Sequence, residues 1–266
     1  MEFLFVRKKV LVFVMMIFFV VGSFVSGYFL GSKSRQSLPA TAVTGQKLVP
    51  IYWVDRSDQK ISLTFDGTWG ADYTEQLLDI LAKHEIKVTF FFAGYWLEEY
   101  PELAKKIAQN GHEIGNHTYT HPHCSNLSQK DLIKELQDTQ KLIRELTGQK
   151  PRFFRPPFGD YNNSVIRTAH QLDYQVVQWS LDSLDWKEPG ADFIVQRILD
   201  NTESGEIILM HNNAPHTPEA LETIIPQLIN KGFEIVPLGE LVYQNDYQIQ
   251  PHNGLQIRSQ GAVFRE

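Results

Sequence analysis

Five separated segments of this chain end an apolar run on ionisable side chains. Asp66 closes Leu63-Thr64-Phe65-Asp66-Gly67, and His117 and His121 follow the short stretch His112–Gly115. Arg155 follows Arg152–Phe154, Asp182 and Asp185 follow Val176–Ser180, and His211 ends Ile207-Ile208-Leu209-Met210. A carboxylate in the place of Asp66 can act as general base toward a water. A histidine across the site, as His211 is placed, can act as general acid for a leaving amine. The His117-x-x-x-His121 spacing can bring two imidazoles to one ion, and neutral imidazole is a favoured ligand of zinc-like metals. Each feature also has a plainer reading. Asp before Gly is an ordinary turn pair, a lone strand-end histidine is often a structural hydrogen bonder, and Arg155 could pair with a surface acid. Arg155-Pro156-Pro157-Phe158-Gly159 is stiffened by two prolines that also remove two backbone donors. Trp69 and Trp186 either wall a groove for sugar rings or simply pack in the core.

The elements that must position these residues alternate. Ile61–Phe65, Val88–Ala93, Arg152–Phe154, Val176–Ser180, Glu206–Met210 and Glu234–Val236 read as strands. Helical stretches are expected at Tyr73–His84, Pro101–Asn110, Ser128–Thr147, Asn162–Leu172, Ala191–Asn201 and Pro218–Asn230. Ser128–Thr147 is the clearest, with Leu132, Leu136, Thr139, Ile143 and Leu146 at helical spacing, Ser128 as cap and Gly148 as stop. Such alternation implies a parallel sheet with helices outside, doubly wound or closed into a barrel. In a (β/α) barrel the loops after the strands form the active face, which is where the ionisable residues fall.

The 266 residues are 42% hydrophobic and 21% charged, ordinary for a globular chain, and the net charge is −6. No basic surface argues for nucleic acid, and no Gly-rich phosphate loop argues for a nucleotide. Cys124 is the only cysteine, so no intrachain disulfide is possible, and it reads as a small buried side chain. Arg7, Lys8 and Lys9 precede an uncharged apolar run from Val10 to Leu30. About 20 apolar residues span a hydrocarbon core of roughly 30 Å. The expected organisation is a basic cytoplasmic end at 1–9, a transmembrane anchor or signal segment at 10–30, a linker at 31–47, one domain at 48–243 and a polar tail at 244–266. Basic flanks stay inside, so the domain is expected outside the cell membrane as a single-pass protein, or secreted if the segment is cleaved.

Taken together, Thr64-Phe65-Asp66, His117-x-x-x-His121, Arg155 to Gly159, Asp182-x-x-Asp185-Trp186 and Leu209-Met210-His211 resemble the polysaccharide deacetylases of NodB-homology type, in the family's order from about Lys60 to Leu238. The resemblance implies a distorted, incomplete (β/α) barrel of about seven parallel strands and a metal-dependent N-deacetylase of cell-wall glycan such as peptidoglycan. It implies Asp66 as base, Arg155 positioning it, His211 as acid, Asp185 supporting the site, and His117 and His121 on a divalent metal, zinc or alternatively cobalt or manganese. Trp69, Phe158, Tyr161 and Trp186 are expected to line the substrate groove. The chain departs from the pattern at Gly67, where the family carries a second aspartate that binds the metal. His123 is the first expected replacement, because a strand-like His-x-His spacing points both rings one way. Asp72 folding back, a weakly held metal with water filling the gap, or loss of metal and activity are the other readings. A degenerate relative that binds glycan or regulates wall or spore processes is the alternative to the enzyme.

Overall fold

A computed structural model describes residues 47–259. Its centre is strand β2 (Lys60–Gly67), joined in parallel to β3 (Thr89–Phe92) on one side and to β8 (Ile207–His211) and β9 (Glu234–Ile235) on the other. From β3 the sheet continues through β4 (Glu113–Asn116), β5 (Phe153–Phe154) and β6 (Gln175–Val176), and from β8 to β7 (Leu181–Asp182). Every pairing is parallel, and β6 and β7 do not pair with each other. The result is a distorted, incomplete (β/α) barrel. Helices α1 (Thr74–Lys83), α2 (Gly94–Glu99), α3 (Pro101–Gln109), α4 (Gln129–Thr147), α5 (Asn163–Gln171), α6 (Ala191–Asn201), α7 (Thr217–Asn230) and the short α8 (Leu238–Leu241) provide the crossovers.

Side-chain alternation in β2 sorts the two faces. Ile61, Leu63 and Phe65 join Phe90, Phe92, Ile208, Met210 and the helices in the largest core cluster. Ser62, Thr64 and Asp66 point the other way, into the barrel. Burying each of those large apolar side chains contributes roughly 1.5–3 kcal/mol. On β3 the same alternation sends Phe91 inward, to a second cluster with Ile51, Phe153 and Ile207. Helix α4 is fixed at both ends as its sequence indicates. Ser128 Oγ accepts from the Asp131 N–H at 3.2 Å, and Gly148 closes the helix at φ 74°. Replacing Ser128 by alanine would cost about 1 kcal/mol through that lost cap.

The structure corrects one boundary. The segment 244–266, read as a polar tail, carries strands β10 (Tyr247–Ile249) and β11 (Leu255–Arg258). They form a small sheet with β1 (Trp53–Val54), antiparallel within the hairpin and parallel to β1. Such short, half-exposed strands leave no sustained apolar pattern to read, although Gln256 is fully buried and binds Tyr243 main-chain groups. No helix among the described residues is long and apolar enough to cross a membrane. The expected basic end, the span at 10–30 and nearly all of the linker lie outside the described residues. Cys124 is buried as expected, and burial pushes its thiol up to about 12, which disfavours the thiolate.

Candidate active site

A cavity of about 590 Å³ opens at the C-terminal ends of the strands. Asp66 reaches it from the end of β2 and His211 from the end of β8, and the two are register partners on adjacent strands. Behind Asp66 lies Arg155, fully buried, with Nη1 donating to Asp66 Oδ1 at 2.7 Å. Arg155 Nη2 donates to Thr64 Oγ1 (2.9 Å) and the Gln178 carbonyl (3.0 Å), and its guanidinium lies 4.2 Å from the Phe91 ring centre. This clamp fixes Asp66. Burial alone would raise the Asp66 pKa, but Arg155, with His117 and His211, outweighs it and holds the carboxylate below its ordinary value.

His211 is held in turn by Asp185. Its ring Nδ1 donates to Asp185 Oδ1 at 2.7 Å, while Asp185 Oδ2 accepts from the His211 N–H and from Thr217 Oγ1. Burial pulls the imidazole pKa down, yet the Asp185 hydrogen bond and charge exceed that, so it ends above its usual range. Nε2 is the ring nitrogen that Asp185 does not engage, and His211 lines the cavity. A carboxylate whose pKa is depressed and an imidazole whose pKa is raised therefore stand on neighbouring strand ends.

The opposite wall is built differently. His117 follows β4 and directs Nδ1 to the Arg155 carbonyl at 2.7 Å. A carbonyl can only accept, so Nδ1 carries the hydrogen and neutral Nε2 is an acceptor, 3.5 Å from Asp66 Oδ2. Burial keeps His117 neutral by lowering its pKa, and burial followed by His117 itself takes His121 down to about 3. The His117 and His121 ring centres are 4.9 Å apart, and His121 Nδ1 is buried without a partner. Two neutral imidazoles so placed suit a divalent metal as far as they go.

The remaining ligand set does not fit one. Gly67 is the last residue of β2 and brings no side chain to the site. A Cβ there would come within 2.4 Å of the ring of its register partner Phe92, which is stacked on Trp96 with centres 4.0 Å apart. His123, expected as the substitute ligand, is exposed and outside the cavity lining, stacked on Phe158 at 4.4 Å and 3.8 Å from Asp160. The reason is local: His121 adopts φ 55°, so the chain is not extended and the His-x-His alternation fails. Phe158, itself at φ 58°, meets His121 edge-on at 4.5 Å and His123 face-on. Asp72 is exposed and accepts from Asn213. Among the described residues no group of three or more His, Cys, Asp or Glu side chains is placed to hold a metal ion.

Of the expected groove residues, Trp69, Phe158 and Trp186 line the cavity and are exposed. Tyr161 does not: its hydroxyl pairs with Tyr52 at 3.2 Å and its ring packs on the cluster around Leu132 and Val165. Sequence reasoning missed Thr64, Thr217, Trp179 and Glu188. Thr64 was within sight, as the inward neighbour of Asp66 at strand spacing; the others depend on tertiary contacts.

A polysaccharide deacetylase family model matches residues 54–177. The chain is 36% identical over 207 residues to the uncharacterised protein YlxY of Bacillus subtilis, covering 78% of this chain and 65% of that protein, so less than two thirds of that relative's length. It is 35% identical over 202 residues to a peptidoglycan-N-acetylglucosamine deacetylase of Bacillus cereus, covering 71% of this chain and 74% of that one. A solved structure described as a family 4 carbohydrate esterase pseudoenzyme from Bacillus anthracis superposes with TM-score 0.70 at 37% identity, covering 73% of this chain and 68% of that one. A mutant of that protein is described as having restored enzymatic activity. With a relative 35% identical and covered over 74% of its length, and with the barrel in place, this chain belongs to the polysaccharide deacetylase family.

Proposed function

We propose that this chain removes N-acetyl groups from amino sugars of a cell-wall glycan, most simply peptidoglycan, by general base and general acid catalysis from Asp66 and His211. The observation that carries the reading is the pair of ion pairs on adjacent strands, the buried Asp66–Arg155 and the half-buried His211–Asp185, open to one cavity. Asp66 takes a proton from water as the water oxygen bonds to the acetamide carbon. His211 then gives its Nε2 proton to the nitrogen as the C–N bond breaks, releasing acetate and a free amine. Trp69 and Trp186 offer faces for the sugar rings. Zinc, or cobalt or manganese, is the ion that imidazole chemistry favours at His117 and His121. Two donors do not complete its shell, and neither proton step above uses it. The apolar run at 10–30 supports a cell-membrane anchor with this domain outside, or secretion if the run is cleaved.

Acetate release from N-acetylated chito-oligomers and from peptidoglycan tests the activity, with Zn²⁺, Co²⁺ or Mn²⁺ added in turn. Release lost in Asp66→Ala and His211→Ala is expected; none from the parent under any ion sinks the reading. Fractionation of expressing cells checks the anchor, with recovery only in the soluble cytosol as the contrary result. A second reading has its own observation: Gly67, with Phe92 in the path of any side chain there, favours a domain that holds glycan without turning it over.

A further inference from the structure

We propose that Asn212 is a positioning residue for glycan binding: through the Gly70 carbonyl it fixes the Trp69 ring as a preformed platform for one pyranose ring. The inference rests on the cavity being a glycan groove, as read above, and not on turnover. Tryptophan is usually well buried, yet Trp69 is 65% exposed and lines the cavity. It stands in the loop between β2 and α1, and its ring meets His121 edge-on with centres 4.9 Å apart. An exposed side chain on a connecting loop would ordinarily be mobile. This loop is tied down from two sides.

The tie is the carbonyl of Gly70, the next residue. A carbonyl oxygen has two lone pairs, and here each meets a side-chain donor. Trp96 Nε1 donates at 2.8 Å from α2, where its ring is stacked on Phe92 in the core. Asn212 Nδ2 donates at 3.2 Å and reaches Thr74 Oγ1 at 2.9 Å, at the start of α1. Asn212 is 1% exposed, directly follows His211, and its own N–H donates to the Asp66 carbonyl at 3.1 Å. The stacking ring, the carboxylate and the imidazole are thus referred to one side chain. Gly70 completes the device. It adopts φ 68°, and a Cβ there would lie 2.2 Å from Asn213 Nδ2, so only glycine lets the two loops close on each other. A face held in place before the sugar arrives loses less freedom on binding, which is where the affinity is gained.

Isothermal titration of the full chain with an N-acetylglucosamine tetramer tests this as a double-mutant cycle over Trp69→Ala and Asn212→Ala. Trp69→Ala should weaken binding about tenfold, the scale of one aromatic contact. Asn212→Ala should weaken it about threefold or more in the parent and not at all once Trp69 is gone. A side chain that only supports the fold would act equally in both backgrounds. Asn212→Asp keeps the size and can accept from the Thr74 hydroxyl, but it has no N–H for the Gly70 carbonyl, so it should show the same dependence on Trp69. Parent-like binding by folded Asn212→Ala or Asn212→Asp overturns the proposal, as does a loss equal with and without Trp69. Acetate release is scored separately on the same samples. The expected cycle without acetate keeps the platform and removes the hydrolase reading; acetate with parent-like binding by Trp69→Ala does the reverse. A parent that neither binds nor cleaves the tetramer overturns both.

Discussion

The two walls of the cavity differ in how their polar atoms are satisfied. On the β2 and β8 side, Asp66 and Asp185 each have a charged partner at 2.7 Å, and Thr64 and Thr217 complete the hydrogen bonds. The groups there sit on regular strands, so packing and hydrogen bonding fix their rotamers. On the side formed by the loops after β4 and β5, Thr118, His121 and Phe158 all adopt positive φ, and His121 Nδ1 has no partner. The first wall holds its ionisable groups in ion pairs; the second offers two imidazoles and, among the described residues, no third ligand. The two walls can vary independently, because they are held by different elements.

The largest expected effect breaks the ordered wall. Arg155→Ala would leave the Asp66 carboxylate buried without its partner and should cost about 3–5 kcal/mol. Urea denaturation measures it, and a loss under about 1 kcal/mol would mean the clamp is not what fixes Asp66. Next, Asp185→Asn removes the charge that raises His211. The His211 pKa is raised on folding, so its stabilisation is complete below the ordinary imidazole value of about 6.5 and fades as pH rises through the folded value. Asp66 is depressed, so its contribution is present above about 4 and fades as pH falls through its folded value. Activity should therefore be bounded on the acid side by Asp66 and on the alkaline side by His211. Asp185→Asn should move only the alkaline limb, to lower pH, and reduce acetate release by roughly 10- to 100-fold. An unmoved alkaline limb would remove His211 from the role of acid.

How much of this could be read in advance follows the same division. Strand-end ionisable residues were legible, because a charge closing an apolar run has few places to go in a barrel except the open end of the sheet. The polar column Ser62, Thr64 and Asp66 was also written at spacing of two, hidden by an outward face of Ile61, Leu63 and Phe65 that makes the whole strand read as buried. Asp185 with Thr217 was not legible, since 32 residues and a helix separate them and threonine at a helix start reads as a cap. His123 was misplaced because spacing arguments assume regular backbone, and His121 leaves the extended region. Tyr161 failed for a related reason: proximity in sequence to Phe158 does not carry over when Gly159 turns the chain at φ 66°.

Two smaller effects sharpen the incomplete wall. Gly67→Asp places a side chain against the Phe92 ring, which Trp96 holds by stacking and by its own hydrogen bond to the Gly70 carbonyl at 2.8 Å. Overpacking of this kind costs about 1–3 kcal/mol. With the Phe92 ring in its path, the carboxylate cannot be seated unless that ring moves, so zinc content should not rise while the strand end keeps its place. A variant as stable as the parent that takes up stoichiometric zinc would show that the strand end swings Gly67 into the cavity.

The smallest effect separates two histidines in one loop. His123 is exposed, and its contacts are the Phe158 face and a distant Asp160 carboxylate. Its replacement by alanine should change stability by no more than about 0.5 kcal/mol, as for surface positions generally. Any zinc affinity of the parent should survive that change and should vanish in His117→Ala, whose imidazole is oriented by the Arg155 carbonyl. Calorimetric titration with zinc ranks the variants. Loss of zinc in His123→Ala alone would require Phe158 to leave its position between the two rings and the loop to turn inward. The second wall would then be complete in the bound state, and the contrast between the walls would belong to the metal-free protein only.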